Sequence, residues 1–272
     1  MVSSLKIQLL MTGNELMSGD IVDSNSALIA QRFKDLGVEI KRKVTVSDDF
    51  DLLVHEINQI TQQADVLIIN GGLGPTSDDL TAEALANVAN VGLAEHPKAL
   101  THLKSWCIKR GAKLNAPNLK QTLLPENCDI IANAIGSAVG IQLTVNKCLV
   151  MCTPGVPSEL KIMLTEEIIP FIAKQLPENI NVHTSRFQVL GYGESSLQKL
   201  IAEELPQWPQ TLEIGFRASM PLLELKVTSR STEDKALKTI WLAKLTKLLG
   251  DHIVHEIIDK PKTLAAVLLA IL

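Results

Sequence analysis

The sequence predicts an α/β protein: a three-layer, mostly parallel sheet, followed by a second, smaller α+β module of order β-α-β-β-α-β. Three observations predict it. Strand-length apolar runs alternate with amphipathic helical segments up to about residue 90, which is the rhythm of layered α/β structure. "DVLIIN", residues 65 to 70, is a continuous apolar run of the kind buried on both faces of a parallel sheet. After the polar stretch "PENIN", residues 177 to 181, the rhythm changes, and the element order that follows is that of a split βαβ unit. At 272 residues the chain is long enough for one large core and one small one.

The elements follow in order. "LKIQLLM" reads as a first strand. "SNSALIAQRFKDLG" reads as a helix with Asp23 or Ser24 as N-cap, Ile29, Phe33 and Leu36 as its apolar stripe, and Gly37 at its end. "VEIKRKVTV" alternates Val38, Ile40, Val44 and Val46 as a second strand with one irregularity. "DFDLLVHEINQITQQ" is helical, with Leu53, Ile57 and Ile60 on one side, and "DVLIIN" is the third strand. "AEALANVAN" starts a helix after the stretch "GGLGPTSDDLT". A helix is expected over 93–109, then the turn-rich "GAKLNAPNLKQTLLPEN", then strands at "GIQLTV" and "KCLVMC". Pro157 suits the first turn of a helix through "SELKIMLTEEIIPFIAKQL", which Pro170 should bend or break.

In the second part "RFQVLG" is a strand, "ESSLQKLIAEEL" a helix, and "TLEIGF" and "PLLELKVTS" two strands. A long helix follows, with Leu237, Trp241, Leu245 and Leu248 in line, and then a strand at "DHIVHEI". His252 and His255, three apart on that strand, should point to opposite faces and so not share a metal. The expected units are 1–175, 180–258 and a terminal segment, 259–272, in which "KPKTLAAVLLAIL" reads as an apolar helix opening a further part of a longer protein.

Composition narrows the function classes. Apolar residues make up 46% and charged residues 21%, a globular balance. Aromatics at 3% and a net charge of −4 argue against a nucleic-acid partner. No apolar run reaches the roughly 18 residues a membrane span needs, and the first twenty residues do not read as a signal peptide. Four cysteines suggest a reducing compartment, so the cytoplasm is the expected location. Cys148 and Cys152 would share a strand face about 13 Å apart, too far for a disulfide, and read as core residues.

Four loops, each after a strand, carry residues able to do chemistry. They are "TGNELMSGDIVDSN", with Gly13, Asn14, Glu15 and Asn25; "TVSDD", with Asp48 and Asp49; "GGLGPTSDDLT", with Gly71, Gly72, Gly74, Thr76, Ser77, Asp78 and Asp79; and "CTPGVPSE", with Gly155, Pro157 and Glu159. In an open parallel sheet such loops gather in one crevice. Taken singly each has an ordinary structural reading: aspartates cap helices, glycines permit tight turns, and "PGVP" is a rigid turn. Their coincidence at one sheet edge changes that. Glycine lets backbone N–H groups crowd onto a phosphate, while acids would repel it unless a cation lay between. No Walker, dinucleotide, nucleophile-elbow or zinc-protease motif occurs, which leaves carboxylates with a cation as the best engine for chemistry.

Read together, "TGNELMSGDIVDSNS", "GGLGPTSDDLT", "NAPNLKQTLLP", "PGVPSEL" and "GYGESSL" resemble, in order and spacing, the competence- and damage-inducible CinA family. The resemblance implies a molybdopterin-binding-like α/β domain, a KH-like module, and a C-terminal deamidase domain of which only the first helix is present. It further implies hydrolysis of ADP-ribose to AMP and ribose 5-phosphate, with a divalent metal (magnesium, manganese or cobalt), potassium as a further candidate, and a homodimer. Asp79 and Asp48 match acids of molybdopterin-binding relatives and, with Asp78, are the metal candidates. Lys120 of "NLKQ" is the candidate phosphate contact, and Glu159, Asn14 and Asn25 would orient metal, water or ribose.

The chain departs from these patterns in places. "NAIGSAVG", residues 133 to 140, lacks two prolines that CinA-type relatives carry, which implies a looser loop. Against molybdopterin-binding relatives Leu73 replaces a threonine and Asp78 an arginine; losing that bidentate phosphate partner favours metal-dependent chemistry. The competing readings are a module that binds a pterin or nucleotide phosphate without turnover, and a regulatory scaffold acting through the KH-like part.

Overall fold

The computed structural model describes residues 5–176, 180–219, 221–258, 261–263 and 265–266. The contacts divide the chain into two units, 1–176 and 177–272. Most of the terminal apolar segment expected as a helix lies outside the described residues.

The first unit is built on a six-stranded sheet. In chain order its elements are β1 (Ile7–Thr12), α1 (Asn14–Ser18), α2 (Ser24–Asp35), β2 (Ile40–Val46), α3 (Phe50–Thr61), β3 (Val66–Asn70), α4 (Thr81–Ala89), β4 (Leu93–Glu95), α5 (Pro97–Arg110), α6 (Ala116–Lys120), β5 (Leu123–Pro125), β6 (Asp129–Ile131), β7 (Gly140–Val145), β8 (Cys148–Thr153), α7 (Pro157–Met163) and α8 (Ile169–Ala173). The strand order is β2-β1-β3-β8-β7-β6; the first four run parallel and the last two pair antiparallel. The expected mostly parallel α/β sheet is present, with an antiparallel edge.

Strand alternation explains the three layers. Leu10, Leu67, Ile69, Val150 and Cys152 pack under Leu53, Ile57 and Ile60 of α3 and Leu85 of α4. Ile7, Leu9, Met11, Ile68 and Met151 face Ile29 and Phe33 of α2, Leu160 and Met163 of α7, and Ile172 of α8. Because both faces are covered, β3 must be apolar throughout, and all five of its residues are buried. Each such aliphatic side chain contributes about 1.5–3 kcal/mol by leaving water. The register slip between Ile7 and Gln8 opposite β2 accounts for the irregularity expected there. The four cysteines are buried and unpaired, as their apolar settings suggest.

Two expectations in this unit need correction. The segment at residue 93 opens as the short strand β4, paired with β5, and the helix starts only at Pro97, capped by His96. "NAPNLK" is no turn but the helix α6, capped by the Asn115 side chain. At Pro170, as expected, the α-helix is interrupted: a π-helical turn, Leu164–Ile168, ends the α7 ladder, and α8 starts at Ile169 with Pro170 in its first turn.

The second unit comprises β9 (Ile180–Leu190), α9 (Glu194–Glu204), β10 (Glu213–Ser219), β11 (Leu222–Ser231), α10 (Thr232–Leu249) and β12 (Ile253–Glu256). Its antiparallel sheet has the order β10-β11-β9-β12. One face carries Phe187, Val189, Leu223, Leu225 and Val227 against Leu197 and Ile201 of α9 and Leu245 and Leu249 of α10. The intervening residues form a polar row in which Arg186 Nε donates to Glu224 Oε1 at 2.6 Å and Lys226 lies 3.5 Å from the same oxygen. Burial alone would raise the Glu224 carboxyl, but Arg186 and Lys226 outweigh it and hold it low.

The buried stripe of α10 is Lys238, Trp241, Leu245 and Leu249, one residue round from the expected line, because Lys238 reaches back to the His183 imidazole and carbonyl. His252 sits in a 3-10 turn rather than on the strand, its Nδ1–H donating to Leu190 O at 2.9 Å, while His255 is on β12. Among the described residues no helix is long and apolar enough to cross a membrane.

Candidate functional site

The strand order turns back at β1, which has β2 on one side and β3 on the other, so a crevice opens at the carboxyl ends of these strands. Loops after β1, β2, β3 and β8 meet there around a cleft of about 510 Å³. Of the expected site residues, Gly13, Glu15, Asp48, Gly71, Gly72, Gly74, Asp78, Asp79, Gly155 and Glu159 line it.

Close approach constrains the glycines of this loop. Gly71 has φ +115°, and a Cβ there would lie 2.4 Å from Thr12 O, so only glycine lets the third loop cross the first. A Cβ on Gly74 would stand 2.5 Å from Asp79 Oδ2. Beyond Gly71, whose N–H bonds Thr153 O, no described residue accepts from the N–H groups of Gly72, Leu73 or Gly74. Three successive amides are thus left without an internal acceptor, as in the backbone nests from which anion sites are built.

The aspartates are engaged by protein groups. Asp48 Oδ1 accepts from the Thr12 hydroxyl at 2.6 Å and its Oδ2 from Asn14 N–H at 3.0 Å, while Asn14 Oδ1 accepts from Asp48 N–H at 3.2 Å. Asp49 is the N-cap of α3 and accepts from Leu52 N–H. Asp79 Oδ2 accepts from both the N–H and the hydroxyl of Thr76. The Asp78 carboxyl is held below its ordinary range by the Thr76 side chain first, then by its own backbone N–H and the Lys120 charge.

The remaining expected residues stand apart from the main cleft. Thr76 and Ser77 are exposed and contribute nothing to its wall. Asn14 closes the first loop. Lys120 gives its ammonium to Thr76 O and lines a side recess. Asn25 is buried; its Nδ2 donates to Asn70 Oδ1 at 2.9 Å and Gly155 O at 2.7 Å. Asn70 in turn donates to Thr153 Oγ1 at 3.0 Å and Pro154 O at 2.7 Å, tying the β3 and β8 loops together. It had one visible signal, a polar residue ending an apolar strand beside a glycine loop.

Sequence pattern did not single out Asn133, Gln121, His102 or Trp106. Asn133 is buried, donates to Ala138 O and Glu159 Oε2, each at 2.8 Å, and accepts from Gly136 N–H at 2.9 Å. His102 and Trp106 of α5 bond the Gly136 and Ile135 carbonyls at 2.9 and 3.0 Å. The 133–140 loop, expected to be loose without its prolines, is thus tied by side chains, and its Ser137 and Ala138 line the cleft. Glu159 is one of its anchors. Burial pushes the Cys128 and Cys148 thiols up to about 11 and about 12, and Cys152 is raised likewise, so none supplies a thiolate near neutral pH.

A parallel sheet carrying a glycine loop and an acidic loop at its switch point defines a molybdopterin-binding-type α/β domain, and residues 8–174 match the family model described as a probable molybdopterin binding domain. The crystal structure of the protein CinA from Thermoplasma acidophilum superposes with a TM-score of 0.56 at 31% identity, covering 61% of this chain and 98% of that one. The chain is 58% identical to a CinA-like protein of Colwellia psychrerythraea over 98% of its length and 62% of the relative's. It is 38% identical to a CinA-like protein of Escherichia coli strain SE11, over 93% of its length and 62% of the relative's. The chain belongs to the CinA family. It spans about three fifths of the length of these curated relatives.

Proposed function

We propose that the first unit hydrolyses ADP-ribose to AMP and ribose 5-phosphate with a divalent cation. The observation that carries this reading is the meeting, in one cleft, of the three unbonded amides of Gly72–Gly74 with the carboxylates of Asp48, Asp78 and Asp79. Among the described residues no three of His, Cys, Asp and Glu are grouped to hold a metal by themselves. That donor set fits a hard cation held by one or two carboxylates and completed by substrate phosphate oxygens, as magnesium is commonly bound. Asp79 and Asp48 would hold it, with Asp78 beside them. Bound there, such a cation would neutralise the diphosphate and lower the pKa of a water.

The chain's own residues would do the rest. The loop amides hold the non-bridging phosphate oxygens, where charge accumulates as the bond to the bridging oxygen breaks. A water adds to one phosphorus, the bridging oxygen leaves with the other phosphate, and the water's proton passes to a carboxylate. Asp79 Oδ1, which no described residue hydrogen-bonds, is the oxygen left for the cation, since Oδ2 is committed to Thr76. Thr12 and Asn14 hold Asp48 in place.

A second reading, binding of a pterin or nucleotide phosphate without turnover, draws support from the same hydrogen bonds: Asp48 and Asp79 each already have a structural occupation. One assay separates the two. Purified chain is incubated with ADP-ribose and magnesium, manganese or cobalt, with and without potassium. The expected result is AMP release with at least one metal, abolished by Asp79→Ala while the circular dichroism spectrum is retained. Absence of AMP under every condition, with molybdopterin or AMP still bound, establishes the second reading instead.

A further inference from the structure

β10 is an outer strand of the second unit's sheet: it pairs with β11 on one side, and no described residue bonds the backbone along its other edge. Such an edge, with unpaired N–H and C=O groups, is a template for a further strand. Its side chains alternate between two faces. Ile214 and Phe216 lie opposite Val227 and Leu225 on the core face and, with Ile201, Leu205 and Trp208, wall an apolar groove of about 320 Å³. Glu213, Gly215 and Arg217 lie on the polar face. Glu213 is held by Arg230 of β11 at 2.6 Å. Arg217 is exposed, and no described residue accepts a hydrogen bond from it. It stands opposite Glu224, whose carboxylate is already taken by Arg186 and Lys226.

We propose that this edge receives the same strand of a second copy of the chain, the two running antiparallel about a two-fold axis at Gly215. The run "EIGFR", residues 213 to 217, is complementary to its own reverse. Pairing it so sets Glu213 against Arg217 of the second copy, Ile214 against Phe216 of the second copy, and Gly215 against itself, with each unlike pair made twice. Opposite charges directly across a strand pair attract, and an aliphatic–aromatic pair extends the apolar face. A row of like charges would deter a copy, as charged edges commonly do. Here the signs differ, and only this register brings Glu213 to Arg217. The residue on the axis meets its own copy, and glycine brings no side chain to conflict there. Within its own chain a Cβ at Gly215 would meet only Lys226 Cβ at 3.9 Å, an ordinary contact, so local packing does not require the glycine. The second copy would also lengthen the apolar groove with its own Ile214 and Phe216. The inference is independent of the chemistry proposed for the first unit.

The test is the association state of the full chain, measured by sedimentation at micromolar concentrations, where the wild type should be a dimer. Glu213→Arg and Arg217→Glu each place like charges at both ends of the pairing and should weaken the dimer about tenfold or more, with circular dichroism checking that each stays folded. Mixed one to one, the two variants restore both opposite-charge pairs and should form the heterodimer. Gly215→Cys sets two thiols across the axis, within reach of a short bifunctional thiol reagent. The native cysteines Cys107, Cys128, Cys148 and Cys152 are buried, so the cross-linked dimer should depend on that substitution. A monomeric wild type, a dimer indifferent to both charge reversals, variants that fail to associate when mixed, or no cross-link through Gly215→Cys would each overturn the proposal.

Discussion

Gly74→Ala isolates the position of one carboxylate from its presence. The added Cβ would lie 2.5 Å from Asp79 Oδ2 and 2.9 Å from Oδ1, where ordinary contact begins near 3.4 Å. The carboxylate must retreat by about 1 Å to restore contact distances. The Thr76 N–H bond, 2.8 Å in length, then opens beyond bonding range. Asp79 is half-buried, so solvent compensates much of that loss, and the cost to stability should be about 1 kcal/mol, or about 2–4 °C in Tm. Displacing a group by 1 Å costs a reaction that depends on it about 100-fold. The expected signature is therefore a hundredfold fall in AMP release from ADP-ribose with a nearly intact melting curve. Gly111→Ala, at φ +63° with nothing within 4 Å and remote from the cleft, supplies the control: about 1 kcal/mol of backbone strain and unchanged turnover. Turnover of Gly74→Ala within a few-fold of wild type, while Asp79→Ala is inactive, would refute the idea that Gly74 sets the carboxylate's place.

Asn70→Ala leaves Pro154 O without its donor and takes one of the two acceptors of Asn25 Nδ2 inside a buried site, and should cost about 3 kcal/mol, read as a Tm fall of about 6–12 °C; a loss below 1 kcal/mol would show that the asparagine pair does not hold the loops. The His183 imidazole is lowered by burial and by Lys238 and Lys235, so the folded second unit prefers it neutral. The unfolded chain takes up that proton first, near pH 6.5, so stability present above this pH is lost as the pH falls from there toward the folded value. Urea melts followed by Trp208 and Trp241 fluorescence between about pH 8 and 5.5 should show the slope, and Lys238→Met should flatten it. For Asp23, burial alone would raise the carboxyl, but hydrogen bonds from Ser26 and the nearby Lys43 outweigh it and hold it low. Asp23→Ala should remove about 1 kcal/mol at neutral pH through the lost cap of α2, a deficit that disappears as the wild-type carboxyl protonates in acid.

Residues that obey a single local rule were legible. The β3 run, the α2 and α3 stripes and the Pro157 start all follow from periodicity and capping, and the structure places each within a residue or two. What escaped was decided by partners distant in sequence. β4 exists because Leu93–Glu95 finds Leu123–Pro125 thirty residues away, and three residues carry too little pattern to announce that. The α10 stripe turned by one position because Lys238 is drawn inward by His183, fifty-five residues earlier, against the apolar rule that placed Leu237 there. Pro170 was read correctly as incompatible with an α-turn; the π-turn is a form of break that local sequence does not distinguish from a bend.

The site divides along the same line, and the division bears on its chemistry. Glycines and aspartates at strand ends could be placed at one edge because parallel strands force their carboxyl-terminal loops together. The groups that give the edge its shape, Asn70, Asn133 and Gln121, are carboxamides tied to distant partners, Pro154 O, the Glu159 carboxylate and Leu73 O, and no spacing rule exposes such pairs. The double duty of Asp79 is resolved in the same way. A carboxylate with one oxygen fixed by Thr76 and the other unbonded is both a loop fastener and a preorganised ligand, since the first bond supplies the orientation that the second role needs. Had Asp79 spent both oxygens on its loop, the cap would suffice as its reason; had it spent neither, a rotamer search would precede every binding event. The half-committed aspartate, set over a glycine that leaves it room, is the geometry expected of a group that must be held still and yet remain available to a cation.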